Sequence, residues 1–484
     1  MSLCDRSAFG VQPRSDGQIK LPFIGWLSIA TRATGPLLVA LCLLASQSAV
    51  AEEDDWPQFR GAGVDGQVVS PRFPLEWGPD RNLAWKTPIA GTGWSQPIVW
   101  QGKVFVTAAV SDNSEKPKKL REGARDPRSA FTGPAKPPTE TYRWVVTCLD
   151  LASGRIAWQQ RADEQSPGIP THPSNTYATE TPATDGHHVF VWLASIGKVF
   201  AYTLAGDLAW QVDLGVYPMT SNLGTGSSPI VYAGRLIVQS YNEENAFVVA
   251  LDPETGKELW RADRSKGTSW STPFVWNTAE RSELIACGNA KVHAYDPRDG
   301  SVLWEIGNFP SSFSATPVAT RELLFLGNNG PFSTAPLFAV QAGAMGDISI
   351  PKAEQKPKEI SHGESVPWWR FRSGPGLASP AVVGNMLFVS ENSILSCYDT
   401  TTGERLYRER LPEGKDIVAS PLVIGDKLLL VDEDGRAFIV RAADKLDVLG
   451  TNKLDDVFWA SPAAAGDSLL LRGVDQLYCI RAAK

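Results

Sequence analysis

The chain has 484 residues, 43% of them hydrophobic and 20% charged, with a formal net charge of −7. That balance is globular, and an acidic chain without a basic run lacks the electrostatic footprint of a nucleic-acid binder. Abundant Gly and Pro, 42 and 35 residues, argue for many turns and few long helices.

The first feature in chain order is an apolar run, GPLLVALCLLA (35–45), behind Arg32 and ahead of SQSAVAEEDD. It is shorter than the roughly 20 residues a bilayer span requires. Ala49-Val50-Ala51 offers the small residues that signal peptidase cuts after. We expect residues 1–51 to be a cleavable signal peptide, with periplasmic or secreted localisation; an uncleaved anchor is the alternative. Cys42 is a poor lipid-attachment site because Leu41 stands before it. Residues 52–81 form an N-terminal extension.

From there the sequence repeats. Ser or Thr beside Pro, then a short apolar run, often a Gly, then a second apolar strand, recurs eight times. The copies are SQPIVWQGKVFV (95–106), ETPATDGHHVFV (180–191), SSPIVYAGRLIV (227–238) and STPFVWNTAERSELIA (271–286), then ATPVATRELLFL (315–326), ASPAVVGNMLFV (378–389), ASPLVIGDKLLL (419–430) and ASPAAAGDSLLL (460–471). A second sentence follows most of them, as in LDLASGRIAW (149–158), LDPETGKELW (251–260), YDPRDGSVLW (295–304) and YDTTTGERLY (398–407). Short strands at such a period point to propeller blades. Each unit reads as four strands: Pro opens the first, the Gly turn leads to the second, the run before Asp is the third, and the Trp strand is the fourth.

The last unit ends without a fourth strand, and NLAWKTPI (82–89) supplies one from the other end of the chain. The expected fold is therefore all-β: one eight-bladed propeller of four-stranded antiparallel blades over 82–484, closed by an N-terminal strand. Two insertions, 111–141 and 341–367, interrupt the first and fifth units and are expected to be disordered in their middles. The basic stretch at 115–128 reads as a solvated loop, and the first insertion, 111–141, as a docking arm for another protein.

In D-x-x-T-G the Asp can accept backbone hydrogen bonds and the Gly can take positive φ, so this motif is a turn. Trp85, Trp158, Trp210, Trp260 and Trp304 then face sideways into the wedges between blades. Cys148, Cys397 and Cys479 share one column of the repeat, which keeps them apart; with Cys287 they are expected to be buried thiols.

The alternation of SSPIV…GRLIV with ALDPETGKELW resembles the bacterial pyrroloquinoline quinone (PQQ) repeat, over about 82–484. That repeat builds eight-bladed propellers in quinoprotein alcohol dehydrogenases and in BamB, a non-catalytic subunit of the outer-membrane assembly machine. DDWPQFRGAGVDG and QAGAMGDISI also resemble secreted propellers of aquatic bacteria, which implies export and no particular activity. For the dehydrogenases the resemblance implies a quinone stacked between a Trp and an adjacent-cysteine disulfide, with Ca²⁺ on Glu, Asn and Asp oxygens. This chain has no Cys-Cys pair, so no cofactor is expected, and PQQ with Ca²⁺ is the alternative. No His-Glu-x-x-His, nucleophile-elbow or Walker pattern occurs, and no metal site is expected.

Binding is therefore the expected function, as a module for an envelope or extracellular protein or a polysaccharide, and a monomer is expected. The alternative is a PQQ-dependent oxidoreductase acting on alcohols or sugars. Trp94, Trp270 and Trp459 precede first strands, so aromatics are expected around one mouth of the channel. Between them THPSNTYATETP (171–182) gathers His172, Asn175, Tyr177 and Glu180 into the most polar connecting loop. These seven are the candidate ligand contacts.

Overall fold

A computed structural model describes residues 55–482, apart from 70, 114, 126–135, 310–311, 329–335, 355–356 and 358–359. The expected signal peptide and the middle of the first insertion lie outside the described residues. The described residues form eight sheets, each built on four antiparallel strands that follow sequence order in blades 1 to 7, and almost no helix; two of the sheets gain a short parallel fifth strand. Blade 1 comprises Ile98–Trp100, Lys103–Val110, Tyr142–Asp150 and Ile156–Gln165. Blades 2 to 7 follow at 183–213, 230–263, 274–306, 318–370, 381–410 and 422–453. Blade 8 takes three strands from 463–480 and its outer strand, Leu83–Pro88, from the other end of the chain, with Trp85 opposite Cys479. The fold is an eight-bladed β-propeller.

The repeated Ser/Thr-Pro does more than open a strand. The backbone N–H of Gln96 donates to the Thr181 hydroxyl at 2.9 Å, Thr181 N–H to Ser228 at 2.9 Å, and Ser228 N–H to Thr272 at 3.1 Å. Thr316, Ser379, Ser420 and Ser461 extend the relay through bonds of 2.9–3.1 Å. Gln96 closes the circle by donating from Nε2 to Pro462 O at 2.5 Å. Each of blades 2 to 8 thus hands a side-chain oxygen to the backbone of the blade before it, and blade 1 hands blade 8 an amide N–H instead. We expect Ser420→Ala, which leaves the buried Ser379 amide unpaired, to lower stability by about 1–3 kcal/mol in denaturant titration.

The seams are held by indoles. In the D-x-x-T-G turn Asp252 Oδ1 accepts from Thr255 N–H and its hydroxyl, both at 2.8 Å, while Gly256 takes φ 70°. That glycine is required twice over, because a Cβ there would stand 2.6 Å from the ring of Trp210 on the preceding blade. Trp85, Trp158 and Trp260 sit in the same way on Gly154, Gly206 and Gly300. Their Nε1 atoms, with that of Trp210, donate to turn carbonyls at 2.8–3.2 Å. A register shift beside the turn aims the fourth strand, as between Ala250 and Leu251. Trp304 differs, since blade 5 replaces its turn with the second insertion. It donates to Glu283 Oε2 at 2.6 Å and lies opposite Gly346 of a strand, Gly346–Asp347, contributed by that insertion. Trp368, absent from the sequence-derived set, fills the following seam against Gly403.

The four cysteines among the described residues, Cys148, Cys287, Cys397 and Cys479, are free and buried. No helix among the described residues is long and apolar enough to cross a membrane.

Candidate functional site at the channel mouths

The channel runs between the first strands, and each of its ends meets a different part of the chain. Connections between first and second strands and between third and fourth strands lie on one face, here called the turn face. Those between second and third strands and between successive blades lie on the other, the loop face.

The N-terminal extension occupies the turn-face end. Trp56 bridges Val99 of blade 1, Pro57 O accepts from Thr184 N–H of blade 2, and Gln58 Oε1 accepts from Val231 N–H of blade 3. Gln67 and Val68 then pair in parallel with Val423 and Ile424 of blade 7. A single segment reaches the first strands of these blades only by lying across the ring's axis. At its centre Arg60 donates its backbone N–H to Gln96 Oε1 at 2.7 Å, and donates from Nη2 to Pro380 O of blade 6 at 2.7 Å and to Asp65 O at 2.8 Å. Arg60 is 1% exposed, and burial lowers its pKa to about 10, against the pull of Asp65.

At the loop face the first insertion forms a strap. Its short helix, Leu120–Ala124, is pinned by charge: Lys119 Nζ meets Asp434 Oδ1 at 2.5 Å, and Arg121 grips both Asp416 oxygens at 2.7 and 3.0 Å. Lys116 reaches Asp475 of blade 8 at 2.5 Å. Leu120 N–H donates to Glu433 Oε2 at 2.9 Å, and Ser174 Oγ donates to Lys119 O at 3.2 Å. Gly123 allows this seating, since a Cβ there would fall 1.8 Å from Ser174 Oγ. The described part of 115–128 is thus solvated at Lys116, Arg121 and Arg125 but tied down on the chain's own ring, which corrects the reading as a free arm. Its bases meet acids on turns of blades 7 and 8 and on the loop before blade 7, far away in sequence.

The expected aromatic ring is only partly assembled. Trp94 stacks on Trp459, centroids 5.6 Å apart and planes 21° from parallel. Trp94 is buried, donating to Ser174 O at 2.9 Å, and half-buried Trp459 points its Nε1 at Glu433 Oε2, 3.4 Å away. Trp270 stands on the approach to blade 4, held by Gly224 O at 2.7 Å. In the loop 171–182, His172 is buried with Nδ1 accepting from Ser174 N–H at 3.2 Å. Asn175 stitches blades 2 and 3 together by donating to Leu223 O and Thr225 O at 2.8 and 3.1 Å. Tyr177 packs edge-on against Tyr142, 5.0 Å between centroids, and burial raises its pKa. Glu180 is 3% exposed; burial pushes its carboxyl up to about 7, although the Thr225 hydroxyl and nearby amides pull the other way. Burial also raises Glu433, against the Leu120 amide and the Trp459 indole.

The residues that sequence reasoning missed are Gln58, Arg60, Gln96, Arg121, Asp416 and Glu433. Gln96 carried a signal, being the one position in the Ser/Thr-Pro column that is neither Ser nor Thr.

These mouths do not fit a stacked quinone with Ca²⁺. The stacking partner of Trp94 is the chain's own Trp459, and the carboxylates of Asp416, Glu433 and Asp434 already hold Arg121, the Leu120 amide and Lys119. The cysteines are single and buried in separate blades.

Residues 139–244, 244–330 and 362–451 match the family described as outer membrane protein assembly factor BamB, which accounts for more than half of the chain. Among curated relatives, the BamB of Yersinia pestis is 24% identical over 265 residues, covering 51% of this chain and 62% of that protein. The chain therefore spans less than two thirds of that relative's length. Among solved structures, BamB from Moraxella catarrhalis superposes with a TM-score of 0.51 at 14% identity, over 83% of this chain and 97% of that one. Quinohemoprotein alcohol dehydrogenase from Comamonas testosteroni superposes with a TM-score of 0.57 at 12% identity, over 90% and 82%. At such identities the superpositions show a shared fold alone. Repeat, ring and sequence match agree: this chain belongs to the family of outer membrane protein assembly factor BamB.

Proposed function

We propose that this protein is an exported, non-catalytic propeller that binds an envelope protein through its loop face. The observation that carries the reading is that the chain's own segments occupy both ends of the channel, Trp56–Val68 across one and the strap beside Trp94 and Trp459 at the edge of the other. Such an arrangement favours the surrounding loops as the working surface, where propellers commonly bind. Membership of the BamB family supports a partner in outer-membrane protein assembly. The export element rests on the apolar run and the Ala-Val-Ala motif before residue 52.

Affinity capture from native envelopes, with the full chain and with a variant lacking 111–141, tests this. The full chain is expected to retain a defined outer-membrane assembly protein, and the variant to retain less of it. A blank capture, together with dye reduction by PQQ- and Ca²⁺-loaded protein on alcohols or sugars, would replace this reading with the oxidoreductase one. Binding on a glycan array, lost in Trp270→Ala, would point instead to a polysaccharide.

A further inference from the structure

We propose that Asp185, His188 and Glu254 form a site for one divalent transition-metal ion of the Zn²⁺ or Mn²⁺ type, bridging blades 2 and 3 on the turn face. Asp185 and His188 flank the turn between the first two strands of blade 2, Ala183–Thr184 and His188–Leu193. Glu254 comes from the D-x-x-T-G turn of blade 3. One donor atom from each residue lies within 4.8 Å of the other two.

Two independent details make this more than a chance gathering. The first is the fixed, unsatisfied imidazole. His188 Nδ1 is buried without a hydrogen-bond partner, and the ring is seated against Phe190 with 5.8 Å between centroids. Asp185 holds its carboxylate in place by accepting at Oδ1 from His187 N–H at 2.8 Å and His188 N–H at 2.7 Å. Its other oxygen then stands 3.6 Å from His188 Nδ1, too far for a hydrogen bond. Two ligands each about 2.1 Å from one ion, at a tetrahedral angle, are separated by about 3.4 Å. The pair is thus spaced for a shared ion. Glu254 is exposed and free to swing the remaining distance.

The second detail is charge. Arg235 opens the second strand of blade 3 as His188 opens that of blade 2; the carboxyl of Asp296 on blade 4 is lowered chiefly by its bond with Arg298, 2.5 Å away, with Arg235 adding to the pull. There the chain supplies its own cation. Among the described residues no Lys or Arg pairs with Asp185 or Glu254, so two carboxylates and an imidazole nitrogen share the site without a Lys or Arg partner. An imidazole nitrogen with two carboxylate oxygens suits Zn²⁺ or Mn²⁺ better than Ca²⁺ or Mg²⁺, which favour all-oxygen shells. The sequence expectation of no metal site searched for ligands close together in sequence, whereas these belong to two blades.

The test is calorimetric titration of EDTA-stripped full chain with ZnCl₂ and MnCl₂, alongside CaCl₂, with melting followed in parallel. We expect one equivalent of Zn²⁺ or Mn²⁺ to bind and Tm to rise with it. His188→Ala and Glu254→Gln should each weaken binding at least about tenfold and abolish the Tm rise. Melting of Glu254→Gln in EDTA should match wild type, because the altered side chain is exposed, and His187→Ala should bind as wild type does. Absence of binding at millimolar metal, wild-type affinity in either variant, or an equal loss in His187→Ala overturns the proposal.

Discussion

Trp260→Ala is expected to destabilise the propeller by about 3–5 kcal/mol, read as a lower denaturation midpoint. The indole is 9% exposed, sits on Gly300 of the next blade and donates to Pro297 O at 3.2 Å. Removing it opens a void in a wedge that no main-chain movement can close, because both flanking sheets are held in register by the Ser/Thr belt. Leu259→Ala, one residue earlier on the same strand, is the matched control. That side chain is 48% exposed, and its truncation should change stability by no more than about 0.5 kcal/mol. Equal effects from the two substitutions would mean that the indoles do not hold the seams. Gly300→Ala should also destabilise, since it places a Cβ 2.6 Å from the Trp260 ring at a residue with φ 74°.

Glu180 should make stability fall as pH rises from about 4.5 to about 7. Its folded-state pKa, raised by burial to about 7, lies above the ordinary 4.5. Below 4.5 the carboxyl is protonated in both states and contributes no difference. Between the two values the folded chain keeps a proton that the unfolded chain has released, so each added pH unit favours unfolding. The accumulated loss above pH 7 is roughly 3 kcal/mol. Glu180→Gln keeps an amide oxygen for the Thr225 hydroxyl and removes the charge. It should match wild type near pH 4 and exceed it by up to about 3 kcal/mol at pH 8. Parallel stability curves for the two proteins across this range would show that the carboxyl is not desolvated in the fold.

The ring itself was legible because its determinants are local and repeated. Asp252, Thr255 and Gly256 make their turn with one another, and the Ser/Thr-Pro column recurs at every blade, so eight copies average out the noise of any one. The belt was hidden in the same letters. Thr181 and Ser228 are 47 positions apart, and only closure of the ring brings the hydroxyl of one to the amide of the other. The strap was misread for a related reason. Lys119 and Arg121 look like solvated charge until Asp434 and Asp416, 315 and 295 positions away, are placed beside them. Trp94, Tyr177 and His172 drew attention as aromatic and polar residues in loops. Composition could not show that Trp459, Tyr142 and Ser174 would occupy their faces and edges.

Closure by a strand from the opposite terminus has a consequence for biogenesis. Leu83–Pro88 is among the first parts of the propeller to be synthesised, and its partner, Gln476–Ile480, is among the last. Arg60 likewise waits for a carbonyl 320 positions downstream. Residues up to Ile480 must therefore be made before the cylinder can seal, and until then an unpaired strand with an exposed indole is open to wrong partners. A nascent chain with that vulnerability needs to be kept unfolded or guarded until the strand Gln476–Ile480 emerges.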